Sequence, residues 1–145
     1  MQYDYFISSR WRNKKVVLEL TEQLRAKGKT VYCFFEGDGK SNEIWAKKET
    51  HTPEAYMEEF EQTPDWQENF AIRHMFETDM KALKQSHTLI LLLPAGKSSH
   101  IEAGVAYGMG KKCILIGEQK EAESLYLIFD AFYQSIDEFV ESGEL

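Results

Sequence analysis

The sequence predicts a small doubly wound α/β domain, with a parallel sheet of four to five strands in the order 2-1-3-4-5 and helices on both faces. Three observations carry that expectation. Residues 3–35 read as strand, helix and strand in one short unit, and such a βαβ unit implies parallel pairing. Residues 88–93 are an unbroken apolar run, the pattern of a central strand covered on both faces. A proline, a small polar loop and a helix start follow that run at once, and open α/β sheets bind ligands at such strand–loop–helix junctions.

The elements follow in order along residues 1–145, read as a single domain. Residues 3–8 are β-rich and apolar, and alternation sets Tyr3 and Tyr5 on one face with Phe6 on the other. Residues 13–27 carry Val16, Val17, Leu20 and Leu24 at helical spacing, and Gly28 ends the helix. Residues 30–35 form a second strand. Residues 37–52 are polar, with Ile44 and Trp45 the large apolar exceptions, and read as a long loop, of the kind that serves as a lid, a binding loop or a disordered segment. Residues 53–60 and 64–85 read as helices, each opened by a proline. Trp66, Phe70, Ile72, Phe76, Met80 and Leu83 give the longer one a broad apolar stripe. After the third strand come a helix over residues 99–110, a strand over 113–116 and a short strand over 131–134. Ser135-Ile136-Asp137-Glu138 has the capping-box pattern and opens a closing helix.

The net charge of −7 argues against a nucleic-acid polymer as partner. Cys33 and Cys113 each sit in an apolar run, so they read as buried hydrophobes rather than a disulfide or metal pair. The four histidines are scattered, so no metal is expected, and no cofactor. No apolar run is long enough to span a bilayer, and no signal peptide is legible. The expected location is the cytoplasm.

Chemistry concentrates where the first and third strands end. Gly96, Ser98 and Ser99 offer amides and hydroxyls to a phosphate or a sugar at a helix N-terminus. Glu102 is expected in the first turn of that helix, aimed at the crevice. The plainer reading makes Ser99-His100-Ile101-Glu102 a capping box, with the glutamate folded onto the helix start. Asp79, late in the long helix, approaches the same crevice or is a solvated neighbour of Lys81. Two carboxylates there would suit cleavage of a glycosidic bond, one facing the anomeric carbon and one near the leaving group. Ser8, Ser9 and Arg10 form either a phosphate-binding turn or an ordinary strand-to-helix turn. His100 either contacts substrate or is exposed on its helix.

Tyr5-Phe6-Ile7-Ser8-Ser9, Asp79 and the stretch Ser98-Ser99-His100-Ile101-Glu102-Ala103-Gly104-Val105-Ala106-Tyr107-Gly108 resemble the nucleoside 2-deoxyribosyltransferase superfamily, which includes deoxynucleoside 5′-monophosphate N-glycosidases. The resemblance implies a flavodoxin-like or Rossmann-like fold and an enzyme acting on the N-glycosidic bond of a small nucleotide or nucleoside. It implies Glu102 as the nucleophile at C1′, Asp79 as the residue that handles the base, and Tyr5 as the residue that orients the glutamate. It also implies a homo-oligomer in which a neighbour completes the site. The loop 95–99 carries Lys97 where the transferases usually carry an acid, which favours an anionic substrate. Tyr3-Asp4-Tyr5-Phe6-Ile7-Ser8 is also similar to the opening strand of TIR domains, some of which cleave NAD. Residues 94–102 are similar to the PGGxGTxxE signature of phosphoribohydrolases. The alternatives to a nucleotide N-glycosidase are a TIR-like NADase and a non-catalytic nucleotide-binding or signalling module.

Overall fold

The computed structural model describes residues 1–36 and 61–145. The expected loop 37–52, with Trp45, and the expected helix 53–60 lie outside the described residues. Five strands form one parallel sheet: β1 (Tyr3–Ser8), β2 (Val31–Cys33), β3 (Ser86–Leu92), β4 (Lys112–Ile116) and β5 (Ala131–Tyr133), in the spatial order β2-β1-β3-β4-β5. Among the described residues the complete α-helices are α1 (Lys14–Ala26), α2 (Phe70–Lys84), α3 (Lys97–Gly108) and α4 (Ile136–Glu141).

Two apolar clusters sandwich the sheet. Tyr5, Ile7, Val31, Cys33, Ile90, Leu92 and Ile114 meet Val17, Leu20 and Leu24 of α1 and Phe139 of α4. On the opposite face Phe6, Tyr32, Leu89, Leu91, Cys113 and Leu115 meet Ala82 and Leu83 of α2 and Ala103 and Ala106 of α3. Period-two alternation assigns each strand residue to one layer, and β3 feeds both, so Leu89 to Leu92 are at most 2% exposed. The two cysteines are free, buried and in different layers.

Several boundaries differ from the sequence expectation. A 3-10 turn at Trp11–Asn13 precedes α1. Phe34 and Phe35 leave the second strand in a turn, where Trp11 packs edge-on against both, with centroids 5.5 and 4.8 Å away. The long helix starts at Phe70, because Asn69 caps it by accepting a hydrogen bond from the Ile72 amide at 3.1 Å. Its apolar stripe is only partly used: Leu83 is fully buried, whereas Trp66, Phe70 and Phe76 are 51, 78 and 59% exposed. Tyr3 does not share Tyr5's layer, since its ring meets Tyr32 edge-on at 5.5 Å on the α2 side.

The most consequential difference is at α3. The helix begins at Lys97, two residues earlier than expected, with Gly96 as an extended N-cap and no side chain capping it. Glu102 therefore lies in the second turn, and Ser99-His100-Ile101-Glu102 makes no capping box. At α4 the same pattern does cap: Ser135 Oγ accepts from the Glu138 amide at 3.1 Å, and Glu138 reaches back to accept from the Gln134 amide, one residue before the cap.

Candidate active site

Parallel strands end together on one edge, and there β1 and β3 deliver Ser8 and the Leu93-to-Gly96 loop side by side. Ser8 pairs with Leu91 across the sheet and is 1% exposed. Alternation turns it to the layer that α2 and α3 cover, as it turns Phe6. Its hydroxyl donates to Glu102 Oε1 at 2.6 Å, and the Ser99 carbonyl lies farther off at 3.4 Å. A hydroxyl has one proton to give, and the carboxylate is the stronger acceptor. Ser8 is thus a clamp on the glutamate.

Glu102 is partly exposed, yet burial desolvates its carboxyl. That burial, followed by the negative charge of Asp79, raises its pKa from 4.5 to about 7, and the Ser8 hydrogen bond pulls the other way. Asp79 lies close enough for its charge to act on Glu102. Its Oδ1 accepts a 2.8 Å hydrogen bond from the Tyr32 hydroxyl of β2. The two carboxylates, each held by a hydroxyl from a different strand, form a coupled pair.

The remaining expected site residues divide. Tyr5 is not beside Glu102: it lies in the α1/α4 layer, 6% exposed, with its ring edge-on to Phe139 at 6.1 Å. Burial raises the Tyr5 phenol's pKa. Ser9 ties the two loops together, donating to the Leu92 carbonyl at 2.8 Å and accepting from Asn13 Nδ2 at 3.1 Å. Ser99 is buried, whereas Arg10, Lys97 and Ser98 are exposed. His100 lies with Nδ1 2.8 Å from the Gly96 carbonyl and Nε2 2.8 Å from the Tyr126 hydroxyl. A carbonyl only accepts, so Nδ1 donates to Gly96, and Nε2 pairs with the Tyr126 hydroxyl. His100 therefore pins the start of α3 to the Ser124–Ile128 turn.

Tyr32 was not singled out by the sequence reading. The signal was there: in Val31-Tyr32-Cys33 alternation sets Tyr32 opposite its neighbours, and the register Phe6↔Tyr32 sends both rings to the α2 layer. Among the described residues no group of three or more His, Cys, Asp or Glu side chains could hold a metal ion. Nor is any helix among them long and apolar enough to cross a membrane.

No family model matches the sequence, and no curated protein does. Solved structures do. The 2-deoxyribosyltransferase of the psychrotolerant bacterium Bacillus psychrosaccharolyticus matches with a TM-score of 0.63 at 16% identity, over 94% of this chain and 89% of that one. The CMP N-glycosidase BcmB of Clostridium botulinum matches with a TM-score of 0.58 at 19% identity, over 97% of this chain and 98% of that one. The chain has the fold that these two structures share.

Proposed function

We propose that the protein cleaves or transfers the N-glycosidic bond of a small nucleotide or nucleoside, with Glu102 acting at C1′. The observation that carries this reading is the coupled pair: a desolvated Glu102, clamped by Ser8, faces the charge of Asp79 and is poised to titrate at about pH 7. Near neutral pH such a pair holds one proton between two carboxyls. A leaving base can take that proton as its bond to C1′ breaks, with the bonding electrons departing on the base. Glu102, now ionised, meets the positive charge at C1′, either as an ion pair or by forming an ester bond. Water or a second base then takes the glycosyl group and frees the carboxylate.

Lys97, Arg10, Ser98 and the first amides of α3 are the groups we assign to an anionic substrate, which favours a nucleotide over a free nucleoside. The resemblance between this fold and that of a CMP N-glycosidase supports the same class. Phe70 and Phe76 leave apolar surface on α2, and we expect a homo-oligomer that covers it, read by sedimentation velocity. A monomer at micromolar concentration removes that part of the reading.

The test is chromatographic release of free base from nucleosides, nucleoside monophosphates and NAD, with Glu102→Gln as control. Release from a monophosphate that the variant abolishes, with ligand affinity intact, supports the proposal. Release from NAD alone moves the protein to the TIR-like NADase reading. Ligand-induced rise in melting temperature without any release leaves a nucleotide-binding module.

A further inference from the structure

We propose that Tyr32 is the positioning residue of the carboxylate pair: by donating its hydroxyl to Asp79 it holds that carboxylate ionised, and so leaves the shared proton on Glu102. Its geometry is unusually well fixed. The ring stacks on Phe6 at 5.1 Å with an 18° interplanar angle, meets Tyr3 edge-on at 5.5 Å, and is 3% exposed. The hydroxyl is thereby delivered across the layer to Asp79 Oδ1 at 2.8 Å.

Each carboxyl of the pair has one strand hydroxyl, and the two donors differ in chemistry. A phenol is far more acidic than an alcohol, so it stabilises a carboxylate more strongly. The surroundings add to the asymmetry, because Glu102 is the desolvated partner and the charge of Asp79 acts on it. The polar and titratable groups at the pair include Ser8 from β1, Tyr32 from β2, Asp79 from α2 and Glu102 from α3, with the Tyr3 ring behind Tyr32. His100 of α3 is turned to Gly96 and Tyr126 instead. Without the phenol the proton distributes over both carboxyls, and the glutamate loses its fixed opponent.

The catalytic consequence rests on the function proposed above; the proton distribution does not. The experiment is therefore a ¹³C NMR titration of side-chain carboxyls in the ligand-free protein, for the wild type, Tyr32→Phe and Asp79→Asn. Phenylalanine keeps the stacked ring, and an unchanged amide spectrum reports the fold. In Tyr32→Phe we expect the Asp79 titration to move up by about one pH unit, the size of one charge-assisted hydrogen bond, and that of Glu102 to become biphasic. In Asp79→Asn the Glu102 midpoint falls toward the ordinary carboxylate range. Titrations in Tyr32→Phe that superimpose on the wild type overturn the proposal, as does a Glu102 midpoint unmoved in Asp79→Asn. Where base release is measurable, the acid limb of kcat/KM in Tyr32→Phe moves to higher pH. A fall in kcat/KM that is equal at every pH, with the titrations unmoved, makes Tyr32 a packing residue and overturns the proposal. Shifted titrations in a protein that releases no base leave Tyr32 in place and overturn the glycosidase instead.

Discussion

Ser8 and Glu102 stand 94 positions apart in the chain and are joined by a 2.6 Å hydrogen bond from the last residue of a strand to the second turn of a helix. The bond exists because β1 and β3 are parallel neighbours and α3 folds back over their ends. Since it favours the ionised glutamate, its loss has a defined sign. Ser8→Ala raises the pH at which Glu102 ionises and frees the carboxylate's rotamer. We expect kcat/KM for base release to fall about 10- to 100-fold at pH 7, because the carboxyl is no longer held toward C1′, and the alkaline limb, where the pair loses its shared proton, to move to higher pH. A pH-independent loss would mean that Ser8 contacts substrate rather than the glutamate.

Glu102 also makes the fold's stability depend on pH in a direction opposite to most carboxylates. Its pKa is about 7 folded against 4.5 for an unperturbed group, so between those values the folded state binds more of the proton than the unfolded chain does. Stability is therefore highest below about pH 4.5 as far as this group is concerned, falls as pH rises to about 7, and is flat above. The full difference is on the order of 3 kcal/mol, since each pKa unit is worth about 1.4 kcal/mol. Glu102→Gln removes it. The variant should melt above the wild type at pH 8 and close to it at pH 5; equal melting differences at both pH values would place the carboxyl in a solvated setting.

The strand order and the two faces of the sheet were legible in the sequence, because period-two alternation and an unbroken apolar run depend on local residues alone. Glu102 and Asp79 were legible as candidates from the strand and helix ends that carry them, and the charge of Asp79 does act on Glu102. The partners of those acids were not. Tyr5 and Tyr32 are both strand tyrosines, and only the register Phe6↔Tyr32, together with the layer that α2 occupies, says which one reaches an acid. Likewise Ser8 and Ser9 adjoin in sequence, yet alternation turns one hydroxyl to Glu102 and the other to the Leu92 carbonyl. Such assignments are tertiary.

Two serines with the same local pattern give a further prediction. Ser135 caps α4 through the Glu138 amide, whereas Ser99 lies inside α3 and caps nothing. Ser135→Ala should cost about 1 kcal/mol of unfolding free energy, the usual worth of an N-cap. Ser99→Ala should cost less than about half of that by the same scale. Urea unfolding of both variants decides it. A cap-sized loss at Ser99 would show that α3 starts there after all, and would return Glu102 to the role of a capping residue.

His100 sits two positions before Glu102, where a substrate contact would be natural, yet both ring nitrogens are spent on Gly96 and Tyr126. Tyr126→Phe tests which description governs. It deletes one partly buried hydrogen bond while keeping the ring that lies 6.0 Å from Phe129. If His100 is a pin, the variant loses about 1 kcal/mol of stability, and its kcat/KM for base release changes less than about threefold, because Ser8 and Tyr32 still hold the two acids. The opposite pattern, full stability with activity lost, would mean that the histidine is released toward the crevice and that its proton takes part in the chemistry. Thermal melts and base-release rates on one preparation separate the two, since a pin acts on the helix start and a substrate contact on turnover.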